Sequence, residues 1–155
     1  MSLSSTGQQA PLYERPAELL QQLIRFNTTN PPGSERECVE WIEKLLRDAG
    51  YETKTFARDP ERPNLLARLE GHDEASPLLL YGHVDVVTVE GQNWQHPPFE
   101  GKNVDGWIWG RGALDMKGVA RSFWRDSDSG LQAWDLITPN RASSNIGEGN
   151  YPLTV

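Results

Sequence analysis

The chain has 155 residues, 37% of them hydrophobic, with 22 acidic against 15 basic side chains and a formal charge of −7. That length suffices for one domain with a buried core, and the acidic balance argues against nucleic acid or an anionic membrane surface as the main partner, since both need clustered positive charge. A single cysteine, Cys38, excludes an intrachain disulfide framework and any thiolate-rich metal site.

Residues 1–10 are polar and small, with neither the basic start nor the apolar run of a secretory leader, so a loose tail and a cytoplasmic location are expected. No stretch approaches the roughly 18 consecutive apolar residues of a membrane span. From Pro16, the spacing of Leu19, Leu20, Leu23 and Ile24 predicts an amphipathic helix ending near Asn27. Asn30-Pro31-Pro32-Gly33 stops it, because proline lacks the backbone donor and restricts the residue before it. Ser34-Glu35-Arg36-Glu37 reads as a capping box opening a second helix. Cys38, Ile42, Leu45, Leu46 and Ala49 form its inward stripe, and Gly50 is its left-handed stop. Strands are expected over Tyr51 to Phe56 and Asn64 to Leu69, with a turn at Asp59-Pro60 and a polar connection over residues 71–76 that leaves His72 in solvent. Leu78 to Tyr81 is apolar at consecutive positions, which predicts a central strand covered on both faces.

The carboxyl end of that strand is where ligand-binding groups gather in an α/β sheet. There the chain reads G-H-V-D-V-V, and because side chains alternate along an extended segment, His83 and Asp85 can converge on one spot. Asp115 stands between Gly110-Arg111-Gly112 and Met116-Lys117-Gly118, a glycine-rich setting that lets backbone approach a ligand. Between the two, Asp105-Gly106 predicts a hairpin whose Trp107 and Trp109 share one face and pack. Trp94 and Phe99 read either as the lining of a substrate entrance or as core, and His96 as a loop residue. Lys117 would either neutralise an acidic site or cover the surface. Without thiolates, zinc takes imidazole nitrogen and carboxylate oxygen and keeps a position open for water, which makes His83 and Asp115 the candidate metal ligands.

The motifs G-H-V-D-V-V and G-R-G-A-L-D-M-K-G, with N-W-Q-H-P-P-F-E-G and D-G-W-I-W between them, resemble the zinc-dependent aminoacylase and carboxypeptidase family. That family includes acetylornithine deacetylases, succinyl-diaminopimelate desuccinylases and carnosinase-type dipeptidases. The resemblance covers residues 11–120 and implies an α/β, three-layer fold with a mixed sheet, of which this chain holds part of the catalytic domain. It implies a hydrolase of amide bonds acting on a small peptide or N-acyl amino acid. It also implies two zinc ions in the complete site, with His83 a ligand, Asp115 the bridging carboxylate, and Asp85 the catalytic-site carboxylate that orients His83.

After Ala120 the chain departs from the family's pattern. A long apolar helix and a strand ending in a Glu-Glu pair, one glutamate a base and the other a ligand, should follow. Instead Glu148 is the only glutamate after Glu100, and no histidine follows His96. The smaller lid domain through which such proteins dimerise is missing as well. Residues 121–155 show no sustained period of 3.6 or 2, and Ala133, Trp134, Leu136 and Ile137 form their only compact apolar group. A shifted reading frame, an alternative exon and a truncated product would each leave such an ending. The expected organisation is a tail over 1–10, the N-terminal part of a metallohydrolase domain over 11–120, and an atypical segment over 121–155. The expected site is incomplete, with zinc partly bound or not bound, and the alternative to a hydrolase is a non-catalytic family product. Parts missing from the sheet would expose an apolar edge and favour self-association.

Overall fold

A computed structural model describes residues 10–68, 78–122, 134–137 and 153–154. Helix α1 spans Pro16–Arg25, with proline in its first turn where its missing donor costs nothing. Its four apolar residues form two adjacent rows that serve two cores. Leu19 and Leu23 pack with Cys38, Val39, Ile42, Leu46, Leu65, Ala67 and Val84. Leu20 and Ile24 pack with Ile108 and Ala113. The helix therefore joins the two halves of the described structure.

Helix α2 spans Arg36–Asp48 and ends at Gly50, whose φ of 89° is the left-handed stop that its position predicts. The expected capping box does not form. Glu35 occupies the N-cap with helical backbone angles and no side-chain capping bond, because its carboxylate is fully buried and turned to Arg62 instead. The thiol of Cys38 is packed in the core, as expected, and burial pushes its pKa up to about 11.

Strands β1 (Glu52–Phe56) and β2 (Asn64–Arg68) pair antiparallel, Thr53 opposite Ala67. Strand β3 is Leu78–Tyr81, and β4 (Lys102–Val104) and β5 (Trp107–Trp109) form the expected hairpin. Asp105 and Gly106 carry positive φ, 51° and 83°, which suits a two-residue turn matched to the strand twist. Helix α3 is Lys117–Ser122, and β6 (Trp134–Ile137) and β7 (Leu153–Thr154) follow. One sheet has the order β1-β2-β6-β3 and the other β4-β5-β7. The first is mixed, since β6 pairs antiparallel with β2 and parallel with β3. Helices and a mixed sheet together make the α/β class that the motifs imply. The connection over 71–76, His72 and Leu69 lie outside the described residues.

Three expectations change. Strand β3 lies at the edge of its sheet instead of the centre, and Leu78, Leu79 and Tyr81 are 47%, 48% and 66% exposed. An apolar run shows that a strand wants cover; it does not show what supplies it. The strand beside β3 comes from the compact apolar group at 134–137, within a segment for which no strand was expected. In the hairpin, alternation turns Ile108 into the core, so Trp107 is 41% exposed and Trp109 half-buried against the edge of the His96 ring. No helix among the described residues is long and apolar enough to cross a membrane.

Truncating the residue that ties α1 to α2 and β2 should leave a cavity. Leu23→Ala is expected to cost about 2–5 kcal/mol in urea unfolding, whereas Leu79→Ala at the exposed strand should cost less than about 1 kcal/mol. In the same titration, Cys38 should resist iodoacetamide at pH 8 in the folded chain and react once urea unfolds it.

Candidate metal centre

The segment after β3 is held in place by a second extended segment. Residues 28–30 run alongside 84–86, with Val86 N–H donating to Thr28 O at 3.0 Å and Asn30 N–H to Val86 O at 2.8 Å. The Thr28 hydroxyl donates to Val84 O. Val84 and Val86 are buried on either side of Asp85, itself 1% exposed. A carboxylate so enclosed needs partners. Its Oδ2 accepts from Asn30 Nδ2 at 2.9 Å and lies 4.0 Å from Arg62.

His83 stands at the rim. Its Nδ1 lies 3.0 Å from both the carbonyl oxygen and Oδ1 of Asp85. The carbonyl oxygen accepts the Nδ1 hydrogen bond, and Oδ1 faces the same nitrogen at the same distance as its ion-pair partner. The other ring nitrogen, Nε2, lies 3.1 Å from Asp115 Oδ1. Asp115 comes from the glycine-rich turn before α3 and is 40% exposed, presented towards solvent. In that turn a side chain at Gly112 would collide with Val86, its Cβ 2.7 Å from Cγ1. Glycine there lets the two motifs meet. The Asp115–Met116 peptide is cis.

The charges agree with this geometry. Hydrogen bonding to Asp85, aided by the charges of Asp85 and Asp115, pushes the His83 pKa up to about 9 against the effect of burial. Burial would raise Asp85, but the close His83 ring at Oδ1, the hydrogen bond from Asn30 and the Arg62 charge hold it below the ordinary value. An imidazolium thus lies between two carboxylates, and His83 and Asp115 would be the residues to hold a divalent cation. Lys117 neither covers the surface nor reaches solvent. It is 0% exposed, donates from Nζ to Phe26 O at 2.8 Å, and burial lowers its pKa to about 8. Nothing in its neighbourhood in sequence marked it as buried, whereas its partner, Phe26 O, lies 91 positions away in sequence. Trp94 lies under the Arg111 guanidinium, 4.9 Å from ring centroid to carbon.

The donor set fits a divalent ion in part. Two ligands on one four-coordinate zinc stand roughly 3.3 Å apart, from bonds of about 2.0–2.2 Å, and the 3.1 Å between His83 and Asp115 meets that requirement. Among the described residues no group of three or more His, Cys, Asp or Glu could hold a metal ion, so a full ligand set is not assembled here.

Comparison with known proteins shows what the chain is similar to. Residues 79–123 match Peptidase family M20/M25/M40. The chain is 37% identical over 153 residues to an N-formyl-4-amino-5-aminomethyl-2-methylpyrimidine deformylase of Bacillus subtilis, covering 90% of this chain and 36% of that protein. That alignment takes in more of the chain than residues 11–120 alone. A succinyl-diaminopimelate desuccinylase of Paracoccus denitrificans is 39% identical over 109 residues, 70% of this chain and 28% of that protein. In structure the chain is similar to human carnosine dipeptidase 1, with a TM-score of 0.70 at 18% identity over 85% of this chain and 33% of that one. It is also similar to the M20 family metallo-carboxypeptidase Sso-CP2 of Sulfolobus solfataricus, with a TM-score of 0.69 at 20% identity over 84% of this chain and 30% of that one. These likenesses define an α/β catalytic-domain fold of the zinc-exopeptidase type. Over residues 79–123 the chain is a partial match to Peptidase family M20/M25/M40, and it spans about a third of the length of the deformylase it matches.

The pH dependence of the metal-free chain follows from two shifts. His83 binds its proton more tightly when folded, so its contribution is full below 6.5 and is lost as pH rises through about 9. Lys117, lowered from 10.5 to about 8, works in the opposite direction above 8. In chelator, stability should therefore fall between pH 6.5 and 8 by at most about 2 kcal/mol, and His83→Gln should remove that slope in urea melts.

Proposed function

We propose that this chain carries the metal-binding rim of a hydrolase that cuts amide bonds in small peptides or N-acyl amino acids. The observation that supports it most is the approach of His83 Nε2 to Asp115 Oδ1 at 3.1 Å, from two motifs 32 positions apart. The names of the relatives point the same way, for deformylase, desuccinylase, dipeptidase and carboxypeptidase all describe removal of a group held through an amide. In this reading His83 and Asp115 are ligands of zinc, and Asp85 is the carboxylate that holds the proton on His83 Nδ1 and so keeps Nε2 free for the ion. A bound zinc supplies Lewis-acid polarisation of the scissile carbonyl and a water acidified towards neutral pH.

The full reaction needs a positioned base and further ligands. The sequence offers no Glu-Glu pair and no histidine after His96, and loss of a positioned base alone typically removes a factor of about 10²–10⁴ in rate. We therefore take residues 11–120, with β6 added to their sheet, as the N-terminal part of the catalytic domain. The atypical segment over 121–155 brings no recognisable base. A cytoplasmic location suits an acidic, thiol-containing hydrolase of small amides. Self-association suits the exposed apolar side chains of Leu78, Leu79 and Tyr81.

Zinc titrated into the dialysed wild type should bind weakly, and that binding should fall sharply in both His83→Ala and Asp115→Ala. Hydrolysis of N-acetyl amino acids and dipeptides should be weak and should disappear in the same variants. Zinc binding without turnover would favour the non-catalytic alternative, and turnover untouched by His83→Ala would count against the assigned residues.

A further inference from the structure

Behind Asp85 lies a second buried ion pair that the metal rim does not use. Glu35 is 0% exposed and Asp85 1%, and the Arg62 side chain reaches both. Arg62 Nε donates to Glu35 Oε2 at 3.3 Å, and its Nη2 stands 4.0 Å from Asp85 Oδ2. From the interior to the rim, Glu35, Arg62, Asp85 and His83 alternate in sign. The backbone fixes both ends. The N–H groups of Glu35 and Arg36 donate to Glu61 O at 3.0 and 3.1 Å, clipping the start of α2 to the residue before Arg62. Gly33 makes the room, since a Cβ there would fall 2.6 Å from Arg62 Nε.

A simple brace between α2 and the turn before β2 would account for the Nε contact alone. It leaves the rest of the guanidinium unexplained. Arg62 borders an open, polar cleft of about 640 Å³ shared with Arg58, Asp59, Pro60 and Asn64, where water could solvate every donor. Instead Nη2 is buried on the Asp85 side, with no hydrogen-bond partner among the described residues. At that separation the guanidinium acts on the Asp85 carboxylate through charge, favouring one placement of it.

We propose that Glu35 and Arg62 are positioning residues, Glu35 aiming the Arg62 guanidinium and Arg62, with Asn30, fixing the Asp85 carboxylate that orients His83. The purpose of this relay rests on the hydrolase reading; its physical content does not. Outer partners of this kind act by restricting the ligand's ring, and losing one weakens the inner contact even when the fold survives.

The test reads the ring N–H of His83 by proton exchange in the full chain labelled with ¹⁵N-histidine, its signal assigned by loss in His83→Gln. Arg62→Met and Glu35→Gln should each speed exchange of that proton by about tenfold or more, while backbone amides of α1 keep their protection. Arg62→Lys, which keeps the charge, should recover part of the slowing. An unchanged ring exchange rate in folded Arg62→Met would overturn the proposal. Should that variant unfold, the isosteric Glu35→Gln decides: faster ring exchange supports the relay and an unchanged rate overturns it. Neither metal nor turnover enters the readout. A chain that binds no zinc and cuts no amide would remove the hydrolase reading and leave this result standing.

Discussion

A carboxylate taken out of water sits at the centre of this structure. Asp85 is enclosed between Val84 and Val86, and it is tolerable there because an amide, an imidazole and a guanidinium all face it. Each of those partners comes from a different part of the chain. Asn30 follows α1, Arg62 precedes β2, and His83 opens the segment after β3. Satisfying one acid therefore draws three connections to one place, and His83 is left with a single free direction, towards Asp115. Removing one partner would leave the charge unpaired in the interior, a larger penalty than the partner's own net contribution.

The fold supports that point with rigid elements. The two rows of α1 bind one core under β2 and another under the hairpin. The segment bearing His83 and Asp85 is pinned by backbone hydrogen bonds to residues 28–30, directly after that helix. A ligand held on such a rim keeps its geometry without help from a flexible loop. The apolar β3 edge shows the opposite character. Its exposed leucines and tyrosine mark surface that the described residues leave uncovered, in a chain about a third as long as the deformylase it matches.

Local patterns in the sequence carried the helices, the hairpin and the convergence of residues 83 and 85. Each depends on a period or a turn that neighbours alone dictate. The helical rows at 19, 20, 23 and 24 and the turn at Asp105-Gly106 are of this kind. Features decided by distant partners were not legible. Ser34 and Glu37 read as a capping pair, but Glu35 takes the N-cap position and a guanidinium 27 positions away claims its carboxylate. Lys117 is buried because the Phe26 carbonyl accepts its hydrogen bond. Strand β6 was visible only as an isolated apolar group, since nothing local says that β2 and β3 leave a gap for it.

The chemical argument comes down to whether the imidazole of residue 83 and the carboxylate of residue 115 share an ion. Anomalous diffraction at the zinc absorption edge, on crystals of the full chain grown with zinc chloride, addresses that directly. The account predicts a peak within bonding distance of both His83 Nε2 and an Asp115 carboxylate oxygen. Density that places the two side chains apart, with zinc elsewhere or absent, would contradict it.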